Sequence, residues 1–172
     1  MIPIGNTVSD ISCEAYLPDG RFEAVSLAHY RGKWATLFFW PLDFTFASAT
    51  EIRAYSDLSH DFDISGAVVL GASVDSVHAH RAWVRQGLGA VRLPMLGDVS
   101  HSLARHFGVL TPSGAALRAT FIINPEGRVA SVAANALNVG RSARETLRLL
   151  HALQSSEIAA SEWQPGAASV AA

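Results

Sequence analysis

The fold of this chain is decided by one stretch, Phe38-Phe39-Trp40-Pro41-Leu42-Asp43-Phe44-Thr45-Phe46-Ala47-Ser48-Ala49-Thr50-Glu51. Its first residues continue an apolar run that begins at Trp34 and contains Thr36 as its only clearly polar member. Such a run predicts a β-strand that is buried on both faces of a sheet. Pro41 ends the strand because proline has no N–H to donate to a neighbouring strand.

A helix is predicted to begin at the end of the same stretch. Ser48 and Glu51 have the spacing of a capping box, in which a serine hydroxyl binds the first turn of a helix. Apolar side chains then follow at helical spacing, at Ile52, Tyr55, Leu58 and Phe62. The start of a helix presents unpaired backbone N–H groups and the positive end of its dipole. The loop and helix start are therefore the predicted place for the chemistry of this protein.

Outside this stretch the chain continues to alternate between strand and helix patterns. Further strands are predicted at 67–74, 93–98, 118–123 and 128–132, the last two joined by a turn at 124–127. Further helices are predicted after Asp75-Ser76, over 102–107 and after the capping box of Ser142 and Glu145. This order predicts an α/β fold with a central mixed β-sheet flanked by helices.

Length and composition limit the classes of function. The 172 residues predict one domain over 1–153, followed by a Ser/Ala/Gly-rich tail over 154–172. A net charge of −2 gives no basis for nucleic acid or an anionic membrane as a partner, and no apolar run is long enough to span a bilayer. The first residues lack the basic and apolar regions of a secretory signal, so we expect a cytoplasmic protein.

The number of cysteines limits the function most strictly. Cys13 is the only cysteine, so no intramolecular disulfide can form. In a predicted early strand, a single thiol is expected to serve as a small apolar side chain. A reactive thiol, or one that links two subunits, is the alternative.

The loop resembles the active-site loop of the peroxiredoxins, of the typical two-cysteine type that includes the C subunit of alkyl hydroperoxide reductase. That loop has the pattern Pro-x-x-x-Thr-x-x-Cys, and Pro41 and Thr45 match it, but Ser48 occupies the cysteine position. Ala47 and Ala49 stand where the family usually has valine and proline. The resemblance extends from about residue 4 to 166 and implies a thioredoxin-like (peroxiredoxin) fold.

The resemblance also places a second redox position in the tail. The motif Ser156-Glu157-Ile158-Ala159 followed by Trp163-x-Pro165-Gly166 is similar to the family's C-terminal segment, with Ala159 at the resolving cysteine. Both redox positions therefore lack a thiol. Either a working peroxidase has been altered to block catalysis, or the chain has diverged naturally. Changes on both sides of Ser48 favour divergence, because blocking catalysis does not require them.

By resemblance, Thr45, Arg118 and the helix start form the pocket. The candidate catalytic residues are Ser48, Thr45 and Arg118, and the candidate substrate-binding residues are Pro41, Phe44, Ala47, Ala49 and Glu51. A guanidinium beside a helix N-terminus suits an anion or a developing oxyanion. The alternatives are structural: Ser48 and Glu51 as helix caps, Thr45 as a loop-stabilising hydroxyl, and Arg118 as a partner in a surface ion pair.

Three functions are consistent with these residues. The first is a protein that has lost thiol peroxidase activity and binds, or converts without redox chemistry, a small oxygen-bearing molecule. The second is a non-catalytic assembly subunit, and the third is a cysteine-substituted variant of a thioredoxin-dependent peroxide reductase. No cofactor is indicated, and His78-x-His80 is a poor match to a metal site. We expect a homodimer or a higher ring, with Trp163 packed at or near the partner chain.

Overall fold

The structure is a computed structural model that describes residues 1–155 and 158–166. Ser156, Glu157 and 167–172 lie outside the described residues, so the predicted tail and its motif are described only in part. Seven strands are present in this part of the chain: β1 Ser12–Tyr16, β2 Phe22–Ser26, β3 Trp34–Phe39, β4 Ala67–Ser73, β5 Met95–Gly97, β6 Arg118–Ile123 and β7 Val129–Asn135. Its five α-helices are α1 Phe46–Asp57, α2 Ser59–Ile64, α3 Val77–Trp83, α4 Ser102–His106 and α5 Ala143–Gln154.

All seven strands form one mixed sheet with β3 near its centre. The strand order is β2-β1-β5-β4-β3-β6-β7. β3 runs parallel to β4 and antiparallel to β6. Since side chains alternate along a strand, Leu37 and Phe39 enter one hydrophobic core while Phe38 and Trp40 enter the other. The predicted α/β fold, with a buried central strand that leads to the loop at Pro41, is confirmed.

Two of the three predicted helix caps are present. The hydroxyl of Ser76 accepts a hydrogen bond from the amide of Ala79 at the start of α3. The hydroxyl of Ser142 does the same for the amide of Glu145 at the start of α5. Within residues 1–155 and 158–166, no helix is long and apolar enough to cross a membrane.

The predicted capping box at Ser48 and Glu51 is wrong. Phe44 adopts a left-handed backbone conformation, with φ of 58°, and the extended residue Thr45 then forms the N-cap. α1 therefore begins at Phe46, and Ser48 lies within its first turn, fully buried. The spacing of a capping box was present, but the serine side chain is used for a contact with the sheet instead.

Cys13 lies in β1 and is buried, with 7% of its surface exposed. Burial, together with the negative charge of Asp98, raises the pKa of the Cys13 thiol to about 12. A thiol with so high a pKa carries almost no thiolate near neutral pH and is a poor nucleophile. These properties support the expected role as a small apolar side chain.

The N-terminal hairpin joins the sheet through a strand that is distant in sequence. β1 pairs with β2 along its whole length. Its other edge pairs with β5, where Glu14 lies opposite Gly97. The hairpin thus extends one side of the sheet, while β7 forms the edge on the opposite side.

Candidate ligand site at the start of α1

The loop between β3 and α1 is held by a buried polar group. The indole nitrogen Nε1 of Trp40 donates to Oδ1 of Asp43 over 2.8 Å. Nδ1 of His80, which is fully buried on α3, lies 2.7 Å from Oδ2 of the same carboxylate. The amide of Asp43 in turn donates to Asp75. These contacts fix the loop against α3, so the His80 imidazole is engaged in a structural contact.

Ser48 lies between two of the predicted site residues. Oγ1 of Thr45 is 2.6 Å from Oγ of Ser48 and 3.0 Å from the carbonyl oxygen of Leu42. Nη1 of Arg118, at the start of β6, donates to Oγ of Ser48 over 3.2 Å. The structure therefore brings Thr45, Ser48 and Arg118 together. No carboxylate or imidazole contacts the Ser48 hydroxyl among the described residues.

Glu51 belongs to the same cluster because it lies one helical turn after Ser48. Its Oε2 accepts a hydrogen bond of 2.6 Å from Nη1 of Arg118. Its Oε1 accepts two hydrogen bonds of 2.8 Å, from the backbone amide and from Nε of Arg141. Glu51 and Arg118 are 2% and 4% exposed, so this is a buried ion-pair network. The alternative interpretations of Glu51 as a cap and Arg118 as a surface residue are wrong.

Arg141 was not predicted from the sequence. Besides Glu51, its guanidinium donates to the carbonyl oxygens of Phe39 and Ala119 and to the hydroxyl of Thr120. It thus ties the end of β3 to β6 beneath the loop. No local pattern marks this residue, because its main partner is 90 positions away in the chain.

Several hydrogen-bond donors at this site have no acceptor among residues 1–155 and 158–166. Nε of Arg118 donates to the carbonyl oxygen of Leu137 and Nη1 to Ser48 and Glu51, whereas Nη2 has no partner. The Thr45 side chain makes no capping bond to α1, and the first helical amide that finds an acceptor is that of Ala49. The amides at positions 46, 47 and 48 remain unused.

An open groove of about 370 Å³ runs beside the cluster. Its lining residues are Phe44, Thr45, Phe46, Ala49, Trp83, Gln86 and Gly87. Phe44 and Phe46 are exposed, and the ring of Phe44 lies 5.7 Å from that of Trp83 between centroids. Of the predicted substrate-binding residues, Phe44 and Ala49 line this groove, whereas Pro41 and Ala47 do not.

Trp163 folds onto its own subunit in the structure of the single chain. It is 8% exposed, and its carbonyl oxygen accepts a hydrogen bond of 2.9 Å from Arg148 on α5. Ala159, in the same part of the tail, is exposed. The burial of this tryptophan is thus explained within one chain, and its predicted contact with a partner chain stays a prediction.

The fold and the site together define a thioredoxin-like α/β protein of the peroxiredoxin type. Two solved structures are similar over almost the whole chain. Reduced 2-Cys peroxiredoxin from Plasmodium vivax aligns with a TM-score of 0.95 and 32% identity, covering 98% of this chain and 93% of that one. AhpC from Mycobacterium tuberculosis aligns with a TM-score of 0.87 and 38% identity, covering 95% and 99%.

The chain belongs to the AhpC/TSA family, whose model matches residues 4–132. Among curated relatives, peroxiredoxin-1 of Gekko japonicus is 41% identical over 95% of this chain and 87% of its own length. Peroxiredoxin-2 of Mus musculus is 43% identical over the same shares. The family assignment made from the loop motif is confirmed.

Proposed function

We propose that this peroxiredoxin-family protein does not reduce peroxides through a thiol and uses its pocket to bind or convert a small oxygen-bearing molecule. The observation that carries the proposal is the residue at position 48, a buried serine held by Thr45 and Arg118. Peroxide reduction through a thiol needs a thiolate that becomes a sulfenic acid, and a hydroxyl has no such oxidation state. The chain's one thiol, Cys13, is buried and its pKa is raised.

The contacts of Ser48 favour polarisation of a ligand over covalent catalysis. A serine becomes a nucleophile when an adjacent base removes its proton. The side-chain partners of the Ser48 hydroxyl are a hydroxyl and a guanidinium, and neither serves as that base. Nη2 of Arg118 and the first amides of α1, which have no acceptor in the described part of the chain, instead suit an oxygen that carries or develops negative charge. A rearrangement, cyclisation or elimination of such a ligand is consistent with this arrangement.

Steady-state consumption of hydrogen peroxide in the presence of thioredoxin is expected to stay at the rate of the buffer. The physical reason is the absence of a thiolate at the pocket. The same assay on Cys13→Ser provides the control, because this change removes the remaining thiol. A rate well above buffer that persists in Cys13→Ser would show that the protein is a peroxidase by another route.

The two other functions remain distinguishable from this proposal. A cysteine at position 48 in protein isolated from its natural source, detected by mass spectrometry, would show that the serine is a substitution. A non-catalytic assembly subunit would show no increase in melting temperature with any small oxygen-bearing molecule, since only ligands bound by the folded state raise it.

We also propose that the protein is cytoplasmic and forms a homodimer or a higher ring. β7 forms an edge of the sheet and, beyond Val129, which pairs with the N-terminal segment, it has no neighbouring strand on its outer side among the described residues. The apolar residues Leu137 and Val139 that follow it are about half exposed. An edge strand beside exposed apolar side chains favours pairing with a second copy. Light scattering at micromolar concentration is expected to give at least twice the mass of one chain, and a monomer would contradict the proposal.

A further inference from the structure

We infer that the protein binds an extended peptide segment of a partner protein in a slot beside residues 67–70 of β4. β3 and β4 run parallel, and the candidate ligand site follows the carboxyl end of β3. The slot lies beside the first half of β4, toward the opposite end of these strands. Unpaired backbone groups, a suitable volume and balanced charges support this second site, which does not depend on the proposed function.

β4 is an interior strand of the sheet, but one of its edges is paired over only part of its length. β5 pairs with its last three residues, and this pairing begins where Gly71 lies opposite Met95. The amide of Gly71 donates to the carbonyl oxygen of Pro94. Before this point, no backbone hydrogen bond joins the two segments among the described residues. Residues 67–70 therefore have a neighbouring strand, β3, on one side only.

Pro94 explains why the pairing ends there. The backbone groups of β4 point alternately to its two sides, and those of Gly71 point toward β5. Those of Val69, two residues earlier, point the same way. In a regular parallel ladder, residue 94 would donate its N–H to the carbonyl oxygen of Val69, but proline has no N–H. The ladder between β4 and β5 therefore cannot continue past Pro94 in this direction.

The N–H and C=O groups of Val69 consequently lack partners in the part of the chain that the structure describes. Val69 is 6% exposed, and the great majority of buried backbone groups in proteins are paired, because an unpaired one costs free energy. An extended peptide that adds a strand to a sheet pairs with a donor and an acceptor arranged in this way. The backbone of Val69 therefore favours a peptide main chain as the occupant.

A slot of about 380 Å³ lies beside these groups. Residues 67–70 all line it, and because successive side chains of a strand point to opposite faces, β4 lines it with its backbone edge. The other lining residues are Tyr30, Ser59, His60, Asp63, Arg92, Leu93 and Pro94. The volume lies in the lower part of the range of known ligand pockets, which suits a segment of about two or three residues.

The charges on the walls of the slot are balanced. Arg92 carries one positive charge and Asp63 one negative charge, and both residues are exposed. Two exposed charges of opposite sign give no preference for an anion or a cation, since water screens both. An uncharged peptide main chain is therefore favoured over an ion as the ligand.

Hydrogen exchange tests the unpaired state of Val69 in the free protein. Its amide is expected to exchange with deuterium at least about tenfold faster than that of Leu70, whose backbone groups point toward β3 in the same buried strand. Nuclear magnetic resonance gives both rates. Equal, slow exchange at the two residues would show that Val69 is paired within the protein and would overturn the inference.

A matched pair of capped peptides tests binding. Acetyl-Ala-Val-Ala-amide has the N–H that would pair with the carbonyl oxygen of Val69, whereas the same peptide N-methylated at valine lacks it. In a titration followed by nuclear magnetic resonance, the first is expected to shift the amide signal of Val69 with a millimolar Kd. The N-methylated peptide is expected to bind at least about fivefold more weakly. Equal binding of the two peptides, or no shift at Val69 up to high millimolar concentration, would overturn the inference.

Pro94→Ala tests the same site within the protein, because alanine restores an N–H beside the carbonyl oxygen of Val69. Once that oxygen is paired internally, binding of acetyl-Ala-Val-Ala-amide is expected to weaken at least about fivefold. Pro112→Ala is the control, since Pro112 lies in an exposed turn and does not line the slot. Equal binding by folded Pro94→Ala and Pro112→Ala would overturn the inference, and if Pro94→Ala does not fold, the two peptides decide.

Discussion

Ser48→Cys is expected to convert the protein into one that hydrogen peroxide oxidises at position 48. The new thiol would lie where the Ser48 hydroxyl now lies, beside Thr45 and Arg118 at the start of α1. A guanidinium and a helix N-terminus lower the pKa of a thiol. Free cysteine is only a few per cent thiolate at pH 7, whereas the new thiol should be mostly thiolate. Its reaction with hydrogen peroxide should therefore be about tenfold or more faster than that of free cysteine.

Intact mass spectrometry after a single addition of peroxide is the measurement, in a Cys13→Ser background. Ser56→Cys is the matched control, because Ser56 is also buried on α1 but its hydroxyl accepts a hydrogen bond from the amide of Arg92 instead of from Arg118. The control is expected to resist oxidation. An unchanged mass for Ser48→Cys would mean that Ala47 and Ala49 leave the loop unable to position the sulfur.

The second large effect is expected from Glu51→Gln. This change removes the one negative charge that Arg118 and Arg141 share, and it leaves two buried guanidinium groups uncompensated. Removing one partner of a buried ion pair typically costs roughly 3–5 kcal/mol of the free energy of unfolding. A loss of that size would lower the stability of an ordinary domain by a large fraction.

Glu145→Gln is the control for this variant. Glu145 pairs with Arg148 at 2.7 Å, a distance similar to those of Glu51, but its side chain is 51% exposed. Water and salt screen such a pair, so its removal should cost about 0.5 kcal/mol or less. Urea unfolding followed by circular dichroism gives both values. Equal losses in the free energy of unfolding would show that the buried ion pairs of Glu51 stabilise the protein no more than the exposed pair of Glu145.

Local patterns were sufficient to predict most of the fold. The buried strand up to Pro41, the 118–132 hairpin and the caps at Ser76 and Ser142 follow from hydrophobic periodicity, turn residues and capping residues. The same kind of pattern failed at Ser48, because a residue within the first turn of a helix can have the spacing of a capping box without being the cap. What decided its role was contact with Arg118, which spacing along the helix does not reveal.

The candidate site was predicted only as far as the family motif extends. Thr45 and Arg118 were assigned by resemblance to known members, and the structure brings them to the same hydroxyl. Arg141 belongs to the cluster equally, yet nothing near it in sequence indicates a buried role. Its position depends on the packing of a late loop against β3 and β6, which is a property of the complete fold.

The pairing of β1 with β5 has a consequence for synthesis on the ribosome. The hairpin of β1 and β2 emerges first, but the strand against which it docks, Met95–Gly97, emerges only after more than half of the 172 residues have been translated. During this interval, Cys13 and Ala15 have no core to enter. The nascent chain therefore carries a hairpin whose apolar side chains are open to aggregation or to chaperones until β5 has been synthesised.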